Sequence, residues 1–466
     1  MRFKNELVSI FTLGFFLVST NLTGQPQYSQ NETLNQYIQQ GLENNLALQQ
    51  RDFSFQHSRA VLKEARGLFM PSVNIEARYS RAGGGRIIEF PVGDLLNNVY
   101  FTLNGMLEQQ GQGRPFPENL ANEKINFLRE EEHDTKIRAV QPIFNASIYY
   151  NYKIKSDLQN SSEAEMQAYK RLLIEEIKAA YYNYLKTEEI VRLYQKTMQL
   201  VQENVRVTQK LVDVDKATPD LLYRAQTELY KIEQHNTEAE NNKNLARAFF
   251  NFLINKPLDS PVVKADALGR EAFTDMDLDA AVSQALKRRE ELKQLSNGSR
   301  AAQNAVRLTN GRYLPNLNLV LDYGFEGEKY NFNKDNDYWM ASAVLSWNLF
   351  EGFQTNARKQ QAVLEKKKVD SRYDEVKRQI RLQVEEARKN LAVSMKKIQT
   401  ARQMVKSAEA SFKIVSRKYA QGMSSQIEYL DAQTNLTNSE INLLVNRYDS
   451  LIKLAVFERV TAGLEL

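Results

Sequence analysis

From Thr355 to Tyr419 the chain runs about 65 residues without a proline or a glycine. Apolar or small residues recur at Tyr373, Val376, Ile380, Val384, Ala387, Leu391, Ile398, Ala401, Val405, Ala408, Phe412, Val415 and Tyr419. The steps are 3 and 4, with one gap of 7. This is a heptad pattern. It predicts one helix ~100 Å long, at ~1.5 Å per residue. Gly422 is placed to end it in the left-handed conformation that stops helices. A second helical pattern starts at Ile427 and returns through Leu430, Ile441, Leu444, Tyr448 and Ala455. The two make a very long antiparallel hairpin, longer than an ordinary globular domain requires.

The same pattern occurs earlier. Ala180, Tyr184, Val191, Tyr194, Met198, Val201, Val205 and Val212 precede Ala387, Leu391, Ile398, Ala401, Val405, Ala408, Phe412 and Tyr419 by a constant 207 residues. Ala225-Gln226-Thr227 then matches Ala432-Gln433-Thr434. The chain is therefore an internal duplication. The first copy is read over residues 25–276 and the second over 277–466.

Ahead of each long helix the period changes from 3.6 to 2. Thr33 to about Phe69 reads as a helix, through Leu34, Ile38, Leu42, Leu46 and Leu48, and Met70-Pro71 ends it. Val73, Ile75, Ala77 and Tyr79 then alternate with Asn74, Glu76 and Arg78. The stretch Ala82 to Asp134 carries Gly83-Gly84-Gly85, Gly111, Gly113 and Arg114-Pro115-Phe116-Pro117, and reads as an exposed loop of unusual length. A strand over Lys136 to Phe144 leads into the first long helix, about Ala146 to Val212. Thr218-Pro219 restarts a helix, as N-cap and first-turn proline, and Leu258 to Met276 reads as a linker. In the second copy Tyr313-Leu314-Pro315 echoes Phe69-Met70-Pro71. Leu317, Leu319, Leu321 and Tyr323 form one alternating strand and Ala341, Ala343, Leu345, Trp347 and Leu349 another, separated by the loop Gly324 to Asp337. Each copy thus reads helix, strand, loop, strand, long helix, turn, helix. The two shorter helices of a copy sum to about the length of the long one, so stacked end to end they match its length.

Residues 1–24 read as a secretory signal: Arg2 and Lys4 precede an apolar core of ~12 residues, Leu7 to Val18, too short to span a bilayer. The next most apolar run, Leu245 to Ile254, is also too short, so any membrane crossing must use β-strands. The 62 Lys and Arg residues against 57 Asp and Glu are spread along the helices and form no basic block, so nucleic-acid binding is not read. With no cysteine, disulfides and thiolate metal sites are excluded. His57, His133 and His235 have no ligand spacing, so neither a metal nor any other cofactor is expected. Paired acids such as Glu175/Glu176 and Glu385/Glu386 lie on helix surfaces. Gly83-Gly84-Gly85 lacks the strand-to-helix context of a phosphate loop. No catalytic constellation emerges, and the expectation is a non-enzyme.

Four strands cannot close a membrane barrel, since outer-membrane barrels need at least ~8. An open edge in lipid would leave backbone groups unpaired. If these strands cross a membrane, several chains share one barrel; two would give eight strands and three would give twelve, and the residues do not choose. The duplicated aromatic-Leu/Met-Pro junctions, the strand ends Gln141-Pro142-Ile143-Phe144 and Trp347-Asn348-Leu349-Phe350, and Tyr419-Ala420-Gln421-Gly422 followed by Ile427-Glu428-Tyr429-Leu430-Asp431-Ala432 resemble the TolC family of outer-membrane efflux channels. The resemblance implies an α+β membrane protein: a transmembrane β-barrel shared by a homotrimer, four strands per chain, continued by a long α-helical periplasmic tunnel. It also implies a periplasmic adaptor and an inner-membrane pump as partners, outer-membrane lipid around the barrel, and service in a tripartite efflux or type I secretion system. The other reading of the same residues is a soluble periplasmic coiled-coil adaptor or scaffold with small β-hairpins.

By that resemblance Glu428 and Asp431 fall on the acidic positions that ring the narrow tunnel entrance, and Tyr419 on a tyrosine that holds it shut. The family's arginine two residues after the glycine is Ser424 here, so closure differs in detail. The residues also permit plainer roles. Ser425-Gln426-Ile427-Glu428 is a capping box, Asp431 suits the positive end of a helix dipole, and Tyr419 continues the heptad. Asp213, Asp215 and Asp220 at the other tip read as solvated turn residues.

Overall fold

A computed structural model describes residues 32–264 and 276–463. The signal read at residues 1–24 and most of the linker Leu258 to Met276 lie outside the described residues. In chain order the elements are α1 (Glu32–Asn44), α2 (Leu46–Gly67), β1 (Ser72–Arg81), β2 (Ile87–Phe90), α3 (Val92–Gln109), β3 (Glu123–Asn126), β4 (Glu131–Phe144), α4 (Ala146–Asp213), α5 (Pro219–Leu253), α6 (Leu278–Arg288), α7 (Glu290–Gly311), β5 (Asn316–Gly327), β6 (Asp337–Ser346), α8 (Gln354–Ala420) and α9 (Gln426–Val460). The order helix-helix-strand-strand-long helix-helix occurs twice, as the duplication requires. The long helices α4 and α8 have 68 and 67 residues, ending within a residue of where the heptads stop. No helix among the described residues is long and apolar enough to cross a membrane.

The chain divides into two compact units: one holds the chain up to Asn45, Leu172–Ala281 and Glu386–Arg459, the other Leu46–Arg171, Val282–Glu385 and the chain from Val460. In the second unit the alternating segments form an antiparallel sheet of order β1-β4-β5-β6. Its register sorts the side chains by face, because directly opposed residues share one. Ile75, Ile137, Tyr323 and Trp339 lie in one row across the four strands. This face is apolar, yet Ile75 is 76% exposed and Trp339 78%. The row beside it is Asn74, Arg138, Asp322 and Met340. There the Arg138 guanidinium donates two hydrogen bonds of 2.8 Å to the Asp322 carboxylate and lies 3.2 Å from Glu76. Tyr338 donates to Asp134, which also pairs with Lys136. Polar groups bond to one another on one face while the apolar face stays open. Gly324 is required where β5 meets β4: a Cβ there would stand 2.5 Å from the Thr135 carbonyl oxygen.

The helices of this unit leave the sheet at one end; at the other end lie the β1–β4 and β5–β6 connections. His133, fully buried near the start of β4, holds the β5–β6 connection against that strand. It stacks on Tyr330 with ring centroids 4.4 Å apart, and its Nε2–H donates to the Lys329 carbonyl at 2.7 Å. The β1–β4 connection differs from the expected loop. It contains the 18-residue helix α3 and the two-stranded ladder β2–β3. Prolines mark only its turns; the run between Pro91 and Gly111 has no proline and forms a helix that takes in Gly93 and Gly105. At the end of the sheet that meets the helices, β6 stops at Ser346, short of the expected Leu349. Trp347 instead donates its indole N–H to the Tyr313 carbonyl at 3.0 Å.

In the other unit α1 packs on α4 and α5. Tyr37 meets Phe250 edge-on at 5.0 Å and its hydroxyl accepts from the Val263 N–H at 2.8 Å. The helix expected unbroken from Thr33 to Phe69 is interrupted at Asn45. The buried Asn45 amide donates to the Leu253 carbonyl at the end of α5, 2.8 Å away. The second copy breaks at the equivalent place, between α6 and α7, where Arg289 is extended (φ −63°, ψ 130°).

Candidate functional site

The candidate residues lie at the turn from α8 to α9. Gly422 has φ +71°. The Gly422 N–H donates to the Tyr419 carbonyl (3.0 Å) and the Met423 N–H to the Lys418 carbonyl (2.8 Å). Together these form a Schellman motif, which satisfies the last carbonyls of α8. The other hairpin repeats it 207 residues earlier: Asp215 takes φ +59°, its N–H donates to Val212, and the Lys216 N–H donates to Leu211 at 2.8 Å. After that turn Pro219 opens α5, but the Thr218 side chain makes no cap hydrogen bond, so the expected threonine cap is positional only.

Glu428 forms both halves of the capping box. Its carboxylate accepts from the Ser425 N–H at 2.9 Å, and the Glu428 N–H donates to the Ser425 hydroxyl at 3.3 Å. The Ser424 hydroxyl also donates to the carboxylate. The serine that replaces the family's arginine therefore serves the cap. These bonds, Ser424's first, hold the Glu428 carboxyl below its ordinary value. That is opposite to the direction that repulsion in a ring of like charges would give. Asp431 is exposed one turn on. Both acids project from the side of α9 away from α4, since Gln426 and Gln433, on the opposite side, are buried. Tyr419 is elsewhere in the tip: it stacks on Tyr429 (4.8 Å, 23°), which also meets Phe412 at 5.6 Å. Burial raises the Tyr429 phenol above its ordinary value. At the other tip Asp213 accepts from Gln209 at 2.8 Å and Asp220 lies 3.9 Å from Arg224. Among the described residues no group of three or more His, Asp or Glu side chains is placed to hold a metal ion.

Residues 281–462 match the family model described as outer membrane efflux protein. Over 455 residues, 94% of this chain and 83% of the relative, the chain is 21% identical to the outer membrane protein TolC of Escherichia coli K12. Residues 281–462 thus carry the outer membrane efflux protein domain, and nearly the whole chain is similar to TolC. Solved structures agree in fold. The Campylobacter jejuni CmeC outer membrane channel has a TM-score of 0.76 at 16% identity, covering 93% of this chain and 86% of that one. The open-state Neisseria gonorrhoeae MtrE channel has a TM-score of 0.72 at 16% identity, covering 92% and 88%. The chain has the TolC-like fold, and its likeness to outer-membrane efflux channels favours the channel reading over the soluble scaffold.

One feature of the chain was not foreseen from its sequence. Between α4 and α9 runs a buried polar seam. Gln426 donates to Thr208 (3.3 Å), and the Thr197 and Thr437 hydroxyls approach to 3.4 Å. Both contacts keep one antiparallel register, which puts Gln433 level with Val201. Gln433 is 3% exposed, and among the described residues neither of its amide atoms has a hydrogen-bond partner. The signal was present as spacing: Thr197, Val201, Asn204 and Thr208 step by 4, 3 and 4, a heptad seam in which three of the four residues are polar.

Proposed function

We propose that three copies of this chain form the passive exit duct of a tripartite efflux or type I secretion system. The observation that carries the reading is the sheet: four strands, an apolar face left open, a charged face bonded within itself, and the edges of β1 and β6 unpaired. In lipid each unpaired backbone group costs several kcal/mol. The β1 edge of one chain therefore pairs with the β6 edge of the next. Three chains give twelve strands, with the Ile75–Trp339 face on lipid and the Arg138–Asp322 face on a water-filled lumen. The helices extend into the periplasm, where an adaptor and an inner-membrane pump engage the hairpins. The chain itself performs no catalysis; the pump supplies the energy.

At the periplasmic tip, Glu428 and Asp431 form an anionic constriction, and Tyr419, stacked on Tyr429, stiffens the hairpin that carries them. Light scattering of the detergent-purified protein tests the assembly: a trimer is expected. A stable monomer with native β content would show that the sheet edges do not need a neighbouring copy.

A further inference from the structure

The connection from β5 to β6 is the short segment 328–336, whereas β1 and β4 are joined by 82–130. The longer one is a built module. Ala82 N–H donates to the Glu130 carbonyl (3.0 Å) and Phe127 N–H to the Arg86 carbonyl (2.9 Å), so β2–β3 prolongs the β1–β4 hairpin outward. Helix α3 is fixed to the segment 116–122 by asparagines. Asn97 donates to the Leu120 carbonyl (2.9 Å) and accepts from the Leu120 N–H (2.8 Å). Asn104, 1% exposed, does the same with Phe116 at 2.9 and 3.0 Å.

This inverts the usual order, in which a surface helix buries its apolar stripe and shows its polar one. The stripe of α3 is left uncovered: Val92, Leu95, Val99, Leu103 and Met106 are exposed, Leu95 by 68% and Met106 by 58%. Its steps of 3, 4, 4 and 3 are those by which one helix seats against another. A bilayer surface is a poor match. Helices that lie on anionic lipid carry Lys and Arg on the polar face, and the charged side chains of α3 are Asp94 and Glu108 alone. The module rides on β1, the edge strand at which the next chain joins.

We propose that the apolar stripe of α3 packs against α3 of neighbouring copies, so that the helices cap the outer mouth of the assembly. The proposal rests on the oligomeric reading above. The chain has no cysteine, so Val99→Cys and, separately, Leu103→Cys each introduce a single thiol on the stripe; Glu108→Cys places one on the opposite side of α3. Each full-length variant is purified in detergent, its native mass measured, and the sample treated with a short bis-maleimide and, separately, reconstituted with brominated phospholipid after fluorophore labelling.

The expected result is a trimer in which the Val99 or Leu103 thiols link most chains covalently while the Glu108 thiol links few. A trimer whose stripe thiols stay unlinked, whether quenched by the brominated lipid or freely labelled from water, overturns the helix cap and leaves the trimer standing. A monomer overturns both.

Discussion

Gly422 and Asp215 hold the same backbone position in the two hairpins, and only one of them suits it. A left-handed residue with a Cβ costs roughly 1–2 kcal/mol, somewhat less for Asp. Gly422→Ala is therefore expected to loosen its turn by about 1 kcal/mol, and Asp215→Gly to tighten the other by up to about 1 kcal/mol. Hydrogen exchange of the tip amides checks both: since 1.4 kcal/mol is tenfold, changes of several-fold in opposite directions are expected. Glu428 adds a pH dependence. Its carboxyl titrates below the ordinary value because Ser424 and Ser425 donate to the charged form. What it contributes to the first turn of α9 is thus complete above about pH 5 and is lost as the pH falls through the lowered value. Glu428→Gln preserves the capping geometry but does not titrate. Protection of the amides 426–429, corrected for intrinsic exchange, should fall in the parent below about pH 4 and stay flat in the variant. Equal pH profiles would show that the carboxylate does not hold the turn.

Elements respond to packing, and the α4–α9 seam is packed with polar groups. A buried amide without partners costs about 1–3 kcal/mol. Gln433→Leu removes that cost and adds apolar burial. It is expected to slow exchange along the seam by at least several-fold and to reduce the fraction of time the channel conducts in a planar bilayer. Faster exchange in the variant would mean that the amide is hydrogen-bonded in the assembly. How far the elements were legible in the sequence follows from what faces what. The four long hairpin helices were readable because apolar residues in steps of 3 and 4 mark a face that must be buried. The sheet was readable because period 2 separates Ile75 from Glu76. The break at Asn45 was not, because Leu42, Leu46 and Leu48 carry the apolar pattern across it and its cause is a carbonyl 208 residues away. Helix α3 was hidden by its inverted polarity, asparagines inward and leucines outward. At the candidate site the Ser425–Glu428 box was visible as spacing, whereas the burial of Gln426 depends on Thr208 of α4, 218 residues away.

At the scale of the assembly, the ends of the sheet set the orientation: an epitope inserted near Gly84 or Gly111 is expected to be labelled on intact cells, and labelling only after outer-membrane permeabilisation would reverse it. The turn from α8 to α9 carries the last prediction. Glu428 and Asp431 lie three residues apart, hence on one face of α9, and that face points away from α4. In the proposed trimer, three-fold symmetry would turn each position into a ring of three carboxylates. Such rings favour cations and bind multivalent ones that then block conduction. The two positions differ in what they have to give. The Glu428 carboxylate already accepts from Ser424 and Ser425, whereas Asp431 is exposed and not part of the cap. Asp431→Asn alone is therefore expected to relieve most of the block by a trivalent cation in a planar bilayer. Adding Glu428→Gln should lower cation selectivity further without loosening the cap. If the double variant keeps the parent's selectivity and block, neither acid lines the pore; Glu428 is then only the cap of α9 and Asp431 a solvated acid in its second turn.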